Sequence, residues 1–244
     1  MCLFEESVGD ACKMLTAAGD ARMLPKAILW DMDGVLIDSE PGYNEATGAF
    51  IRSLGYEFGE REIAKATGVS YKNLAAILDL KETPEAFMHQ YAEILRQSVR
   101  STVHELINGV TDFLEYFKMR GVKMAVGSSS PRELVDYVSE TYGLARWIQF
   151  AVTGSDTENG KPAPDIYRMC AEQLGVLPSE CLVIEDSSNG IRSARAAGMI
   201  VLAYAGTNRC HLDLSEADFT IQSYSQEELS ALVQWLDLWL TESL

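Results

Sequence analysis

The stretch ILWDMDGVLIDSEP, residues 28 to 41, ends an aliphatic run in two carboxylates. Ile28, Leu29 and Trp30 have the character of a buried strand, and Asp31 and Asp33 stand one residue apart where it stops, with Gly34 directly behind. Like charges that close repel each other, so a cation or a chemical role must justify keeping both. Gly34 lets the backbone turn sharply there and approach a ligand.

Outward from this stretch the chain alternates. AILW at 27–30, KMAVGS at 123–128, FAVTG at 150–154, CLVIED at 181–186 and IVLAY at 200–204 are short apolar runs of strand type. Between them lie amphipathic patterns, VTDFLEYFKMRG at 110–121, PRELVDYVSETYG at 131–143, PDIYRMCAEQLG at 164–175 and SNGIRSARAAG at 188–198, each closing on a glycine as helices commonly do. Such alternation predicts an α/β fold, a parallel sheet covered on both faces. A last pattern, QEELSALVQWLDLWL at 226–240, carries Leu229, Leu232, Val233, Leu236 and Leu240 at helical spacing, with Trp235 and Trp239 expected to pack. Residues 41–106 break the rhythm: NEATGAFIRSLG, REIAKATG, YKNLAAILDL and PEAFMHQYAEILRQSVRST are helical patterns with no strand between them. They predict an all-helical insert, leaving 25–40 and 107–244 for the core and 1–24 as an N-terminal extension.

At 244 residues, 47% of them apolar, the chain has material for one core with an insert. A net charge of −16 argues against nucleic acid or an anionic membrane as partner, although a local pocket can still be positive. Five cysteines form no C-x-x-C pair and sit mostly in apolar runs, as buried free thiols of a reducing compartment do. No apolar run approaches the ~18–20 residues of a membrane span. Glu5, Glu6, Asp10 and Asp20 interrupt any hydrophobic leader. The expectation is a cytoplasmic monomer.

In open parallel sheets, ligands bind outside the carboxyl ends of the strands. Four of the five expected strands carry polar residues at or soon after that end: Asp31-Met32-Asp33, then Gly127-Ser128-Ser129-Ser130, then a loop to Lys161, then Glu185-Asp186 with Ser187, Ser188, Asn189 and Gly190. Asp31, Asp186 and Glu185 offer hard oxygen ligands, which suit Mg²⁺. Lys161 supplies a compact charge for a carboxylate or a phosphoryl oxygen. Ser130-Pro131-Arg132-Glu133 matches a capping box with proline at the first helical position, which would aim a helix N-terminus toward Ser128 and an anion. Alone, each feature has a plainer reading as a turn, a cap or a solvated charge. Together they converge on a phosphate, with Asp31 as the nucleophile that forms an aspartyl-phosphate and Asp33 as the general acid and base.

DMDGVLIDSE at 31–40, GSSS at 127–130, GKPAPD around Lys161 and EDSSNG at 185–190, in this order, resemble the haloacid dehalogenase superfamily of phosphotransferases across residues 26 to 206. The resemblance implies a doubly wound, Rossmann-like parallel core with an inserted helical cap domain at 41–106, of the kind found in β-phosphoglucomutase and sugar-phosphate phosphatases. It also implies Asp31 as nucleophile and metal ligand, and Asp33 as acid and base with its carbonyl on Mg²⁺. Ser128 and Lys161 would hold the phosphoryl group with Ser129 and Gly34 beside it, and Asp186 with Glu185 would complete the metal site. The partner would be a small phosphorylated metabolite, contacted from the cap by Tyr43 and Lys72. GVS at 68–70 and ILDL at 77–80 are similar to the β-phosphoglucomutase cap, but that enzyme has Arg directly after its GVS and His where Tyr43 aligns. DSEP at 38–41 and SSSP at 128–131 are more like the phosphatases, so a phosphatase is expected, with the phosphohexomutase as the alternative and a catalytically silent phospholigand-binding relative behind it.

Overall fold

Four consecutive apolar residues, Ala27–Trp30, form β1, and all four are fully buried. A strand buried on both faces belongs in the middle of a parallel sheet. The other strands are β2 (Lys123–Ser128), β3 (Ala151–Thr153), β4 (Cys181–Glu185), β5 (Ile200–Tyr204) and β6 (Phe219–Ile221). In this computed structural model, which describes residues 23–59, 105–207 and 213–242, they make one sheet in the order β3-β2-β1-β4-β5-β6. Every pairing is parallel. The expected doubly wound α/β core is therefore present, and its strand order reverses between β1 and β4, where such sheets bind ligands. Trp30 lies opposite Val126 on one side and Ile184 on the other, so β1, β2 and β4 end nearly level.

Alternation along each strand feeds two cores. Ile28, Trp30, Met124, Val126, Leu182, Ile184 and Leu202 face one layer, built from α2 (Val110–Met119), α3 (Arg132–Tyr142) and α6 (Gln226–Glu242), the helices numbered in chain order. Leu29, Ala125, Val183, Val201 and Ala203 face the other, built from α4 (Asp165–Leu174) and α5 (Ser188–Ala197). The tryptophans of α6 pack as expected: Trp235 stacks on Phe219 with ring centroids 5.1 Å apart and lies 5.2 Å from Trp239. Cys170 and Cys181 are buried free thiols, both pushed up to about 12 by burial; Cys2, Cys12 and Cys210 lie outside the described residues. Among the described residues no helix is long and apolar enough to cross a membrane.

Two details differ from the sequence reading. The edge strand β6 was not anticipated, because three residues with Thr220 exposed give too short an alternation to register. The capping box at Ser130–Glu133 does not form. α3 begins at Arg132 with Pro131 at the cap and no capping side chain, and the N–H groups of Leu134 and Val135 donate to the Pro131 carbonyl. Ser130 donates its hydroxyl to Asp33 at 2.6 Å, a charge-assisted bond.

After β1 the chain folds back on itself: the Met32 carbonyl accepts from Leu36 at 2.9 Å and Ile37 at 3.1 Å. Thr207 braces this loop through the Gly34 carbonyl (2.6 Å) and Tyr224 through that of Val35 (3.0 Å). The outgoing chain then meets the returning one, Asp38 N–H donating to Glu105 and Ile107 N–H to Leu36, around an antiparallel bridge between Ile37 and Leu106. Helix α1 (Glu40–Ser53) opens the expected insert, and residues 60–104 of that insert lie outside the described residues, as do 1–22 of the extension.

Phe117, fully buried in the α2 layer, should cost about 3–5 kcal/mol when cut to alanine. Leu238→Ala, at a side chain 65% exposed, should change stability by no more than about 0.5 kcal/mol. Urea unfolding of both variants checks the assignment of this layer.

Candidate active site

The level strand ends bring the expected residues together. The Asp31 N–H donates to the Ile184 carbonyl at 2.9 Å, which carries the β1–β4 ladder one step past the strand and fixes the start of the Asp31 side chain. Lys161 reaches in from the loop after β3. Its ammonium donates to Asp31 Oδ1 at 2.5 Å, to Glu185 Oε1 at 2.7 Å and to the Gly127 carbonyl at 2.9 Å. An ammonium has three protons, so this side chain, only 5% exposed, is fully used.

Glu185 sits at the end of β4 and is almost completely buried. Its Oε1 accepts from Lys161 and from the Tyr167 hydroxyl at 2.9 Å. Its Oε2 accepts from the N–H groups of Asp186 and Ser187 and from the Ser187 hydroxyl, each at 3.0 Å. Ser187 in turn caps α5 by accepting the Gly190 N–H. With both oxygens occupied, Glu185 is placed to orient Lys161, and the metal-ligand role expected for it does not fit its contacts.

Asp33 faces a different set of partners. Ser39 donates to its Oδ1 at 2.7 Å and Ser130 to its Oδ2 at 2.6 Å. Both oxygens of its carboxylate are thereby engaged by hydroxyls. Ser128 is fully buried and accepts the Ser130 N–H at 3.0 Å, a bond that does not use its own hydroxyl proton. Ser129 beside it is exposed. Gly34 makes room for Asp186: a Cβ at residue 34, where φ is +78°, would lie 1.9 Å from Asp186 Oδ2. Lys72 lies outside the described residues, and so does the side chain of Tyr43 within α1. Sequence reasoning missed Tyr167 as a site support, named Gly190 in the EDSSNG motif without giving it a role, and took Ser130 for a helix cap. The signal for Gly190 was its place five residues after Glu185; Tyr167 offered none, because its spacing on α4 is simply that of a core position.

The electrostatics ask for more positive charge than Lys161 provides. Burial raises Asp31 to about 8, Lys161 opposing that shift while Glu185 and Asp33 add to it. Burial, then Glu185 and Asp31, hold Asp186 well above the usual carboxylate range. Burial acts to lower Lys161, but Asp31 and Glu185 outweigh it and keep the ammonium charged. Among the described residues no three His, Cys, Asp or Glu side chains gather as a metal site. The contacts occupy both carboxylate oxygens of Glu185 and of Asp33, so Asp31 and Asp186 are the carboxylates that could offer oxygens to a cation. Two carboxylates and a carbonyl fit Mg²⁺, which keeps several waters and takes further oxygens from a phosphate.

Two outcomes test this arrangement. A Cβ at residue 190 would stand 1.6 Å from Glu185 Oε1, so Gly190→Ala should destabilise the protein by about 1–3 kcal/mol in urea unfolding; an unchanged midpoint would reject the packing. The second concerns pH in the presence of a chelator. Asp31 keeps its proton up to about 8 when folded but only to 3.8 when unfolded, so the folded state binds more protons between those values. Its contribution to stability must therefore fall as pH rises through that window. Asp31→Asn should flatten that part of the profile, and identical slopes for the two proteins would contradict it.

The sequence of the chain is similar to several characterised proteins. It is 33% identical over 179 residues to a phosphorylated carbohydrates phosphatase of Thermotoga maritima, covering 71% of this chain and 82% of the relative. It is 30% identical over 176 residues to the fructose-1-phosphate phosphatase YqaB of Escherichia coli, covering 70% and 92%. Its fold is similar to that of a CbbY variant from Rhodobacter sphaeroides solved with xylulose 1,5-bisphosphate, with a TM-score of 0.71 and 25% identity over 83% of this chain and 96% of that one. Those curated relatives carry the enzyme class expected here, phosphoric monoester hydrolase. The haloacid dehalogenase-like hydrolase profile matches residues 28–204, and the chain belongs to that family.

Proposed function

We propose that this hydrolase is a Mg²⁺-dependent phosphatase that cleaves a small phosphorylated metabolite, a sugar phosphate, through an aspartyl-phosphate on Asp31. The observation that carries the reading is the placement of Asp31 at the sheet's switch point, aimed by a buried lysine and separated in its contacts from Asp33. The two similar phosphatases with sugar-phosphate or phosphorylated-carbohydrate names support the substrate class.

Asp31 Oδ attacks phosphorus while Asp33 protonates the departing alkoxide, and Asp33 then takes a proton from the water that hydrolyses the aspartyl-phosphate. Lys161 has no spare proton in the state described, so it meets a phosphoryl oxygen by giving up its bond to Asp31 as that oxygen arrives. Its bonds to Gly127 and Glu185 keep the ammonium in place during the exchange. Ser128 and the main chain of Ser129 line the same strand end. Bound by Asp31, Asp186 and the Asp33 carbonyl, Mg²⁺ would ionise the carboxylates and offset charge on the phosphoryl oxygens. Residues 41–106 would act as the helical cap that closes over the site and excludes bulk water, moving about the paired connectors at 37–38 and 105–107. Tyr43 and Lys72 would meet the sugar from that side. We place the enzyme in the cytoplasm, as a monomer.

A Mg²⁺-supplemented panel of sugar and nucleotide monophosphates, scored for inorganic phosphate, tests the reading. Asp31→Asn should lower turnover by about 10³-fold or more and Asp33→Asn by about 10²–10⁴-fold, with chelation of the metal also stopping the reaction. Unchanged turnover in Asp31→Asn would reject the nucleophile. Conversion of β-glucose 1-phosphate to glucose 6-phosphate without free phosphate would show a mutase instead.

A further inference from the structure

Tyr167 lies on α4, fully buried, and the apolar layer there would accept a phenylalanine. Its hydroxyl instead donates to Glu185 Oε1, the same oxygen that accepts from Lys161. Its ring lies under the lysine ammonium, with Nζ 4.7 Å from the centroid, inside the range where a ring face attracts a cation. Gly127 makes that approach possible. A Cβ at residue 127 would stand 2.9 Å from Tyr167 Cε1, and the carbonyl of that glycine is the third acceptor of Lys161. One side chain thus touches Lys161 by its ring, Glu185 by its hydroxyl and Gly127 along its edge. Burial first, then Glu185 and Asp31, hold the phenol well above its ordinary value, so it remains a donor at any working pH.

We infer that Tyr167 is a positioning residue for the phosphoryl transfer, fixing Glu185 and Lys161 so that the ammonium keeps its place when its bond to Asp31 is exchanged for a phosphoryl oxygen. The inference rests on the phosphatase reading for its kinetic consequence, though not for its geometry. Without the hydroxyl, Glu185 Oε1 keeps only Lys161, and although the three donors on Oε2 still anchor the carboxylate, Oε1 is free to pivot with the ammonium toward Asp31 and the incoming charge. The effect falls on the transition state, where Lys161 is needed most, and the substrate's sugar never meets Tyr167.

The test compares the full-length wild type, Tyr167→Phe, Glu185→Gln and the double variant. Loss of an outer partner of this kind lowers activity by about 10–100-fold. That loss should appear in kcat, with KM moving by less than about threefold. Because Tyr167 acts through Glu185, the double variant should be no slower than the slower single variant by more than about threefold, whereas independent losses would multiply. A folded Tyr167→Phe enzyme with unchanged kcat, or multiplied losses in the double variant, would overturn the inference. Tyr167→Met serves in the same comparison if the phenylalanine variant does not fold.

A second measurement separates this inference from the reading it rests on. The ¹H–¹⁵N signal of the Lys161 ammonium should be observable in the wild type, because its three protons are bonded and buried, and it should broaden or vanish in Tyr167→Phe while the backbone amide spectrum persists. If the wild type hydrolyses no phosphate ester, the phosphatase reading fails and this signal alone decides the positioning. An unaltered ammonium signal in the variant would then reject it.

Discussion

The ammonium of Lys161 donates to acceptors from three different strands: Asp31 beyond β1, Gly127 in β2 and Glu185 at the end of β4. Those are the three central neighbours of the sheet. One cation therefore ties together the edge at which the strand order reverses. The desolvation of a buried charge is a large cost unless every proton finds a partner, and here each does. Removing any acceptor would leave an unmet donor on a charge that is only 5% exposed. The position of Asp31 and the integrity of the strand ends consequently depend on the same three bonds.

That bonding explains several glycines and hydroxyls that otherwise look incidental. Glu185 can saturate both its oxygens only because Gly190 has no Cβ and Ser187 both donates to it and caps α5. Asp186 can lie against the β1 loop only because residue 34 is glycine with φ of +78°. The net result is a division among four carboxylates. Glu185 is spent on lysine and backbone and Asp33 on two hydroxyls, while Asp31 and Asp186 have their proton affinity raised first by burial and then by the neighbouring carboxylates. A sequence shows four acids near strand ends; only contacts show which two remain available to a cation.

Much of the core was legible because burial on both faces of a parallel sheet forces uninterrupted apolar runs. AILW, KMAVGS and IVLAY coincide with β1, β2 and β5 to the residue, β4 is one residue shorter at its polar end, and β3 is one residue shorter at each end. β6 was not legible, since an edge strand of three residues needs neither a long run nor strict alternation. Within the site, residue type and order pointed to Asp31, Asp33, Lys161 and Asp186, because charge at the carboxyl end of a buried strand is costly enough to need a reason, and the structure gathers them at one edge of the sheet. The partner of each polar atom was a different matter. Ser130 satisfies the pattern of a capping box and still bonds Asp33, 97 positions away in the chain, and no local rule ranks that contact against a local one.

The position of Asp33 follows from the same logic and reaches further. Its two hydroxyl partners come from opposite sides of the chain's path: Ser130 belongs to the core segment after β2, and Ser39 is the residue from which α1 and the insert begin. Ser39 follows immediately on Asp38, whose N–H joins the returning chain at Glu105. The acid's orientation is thus set partly by the fixed sheet edge and partly by the joint through which the insert leaves it. Among the described residues Asp31 has no such tie and is held by β4 and Lys161. Under the proposed mechanism the nucleophile must stay aimed whether or not the site is closed, while a proton donor is useful only when substrate is in place and bulk water is out. Anchoring one aspartate to the sheet and the other across the joint meets those two requirements with residues only two positions apart.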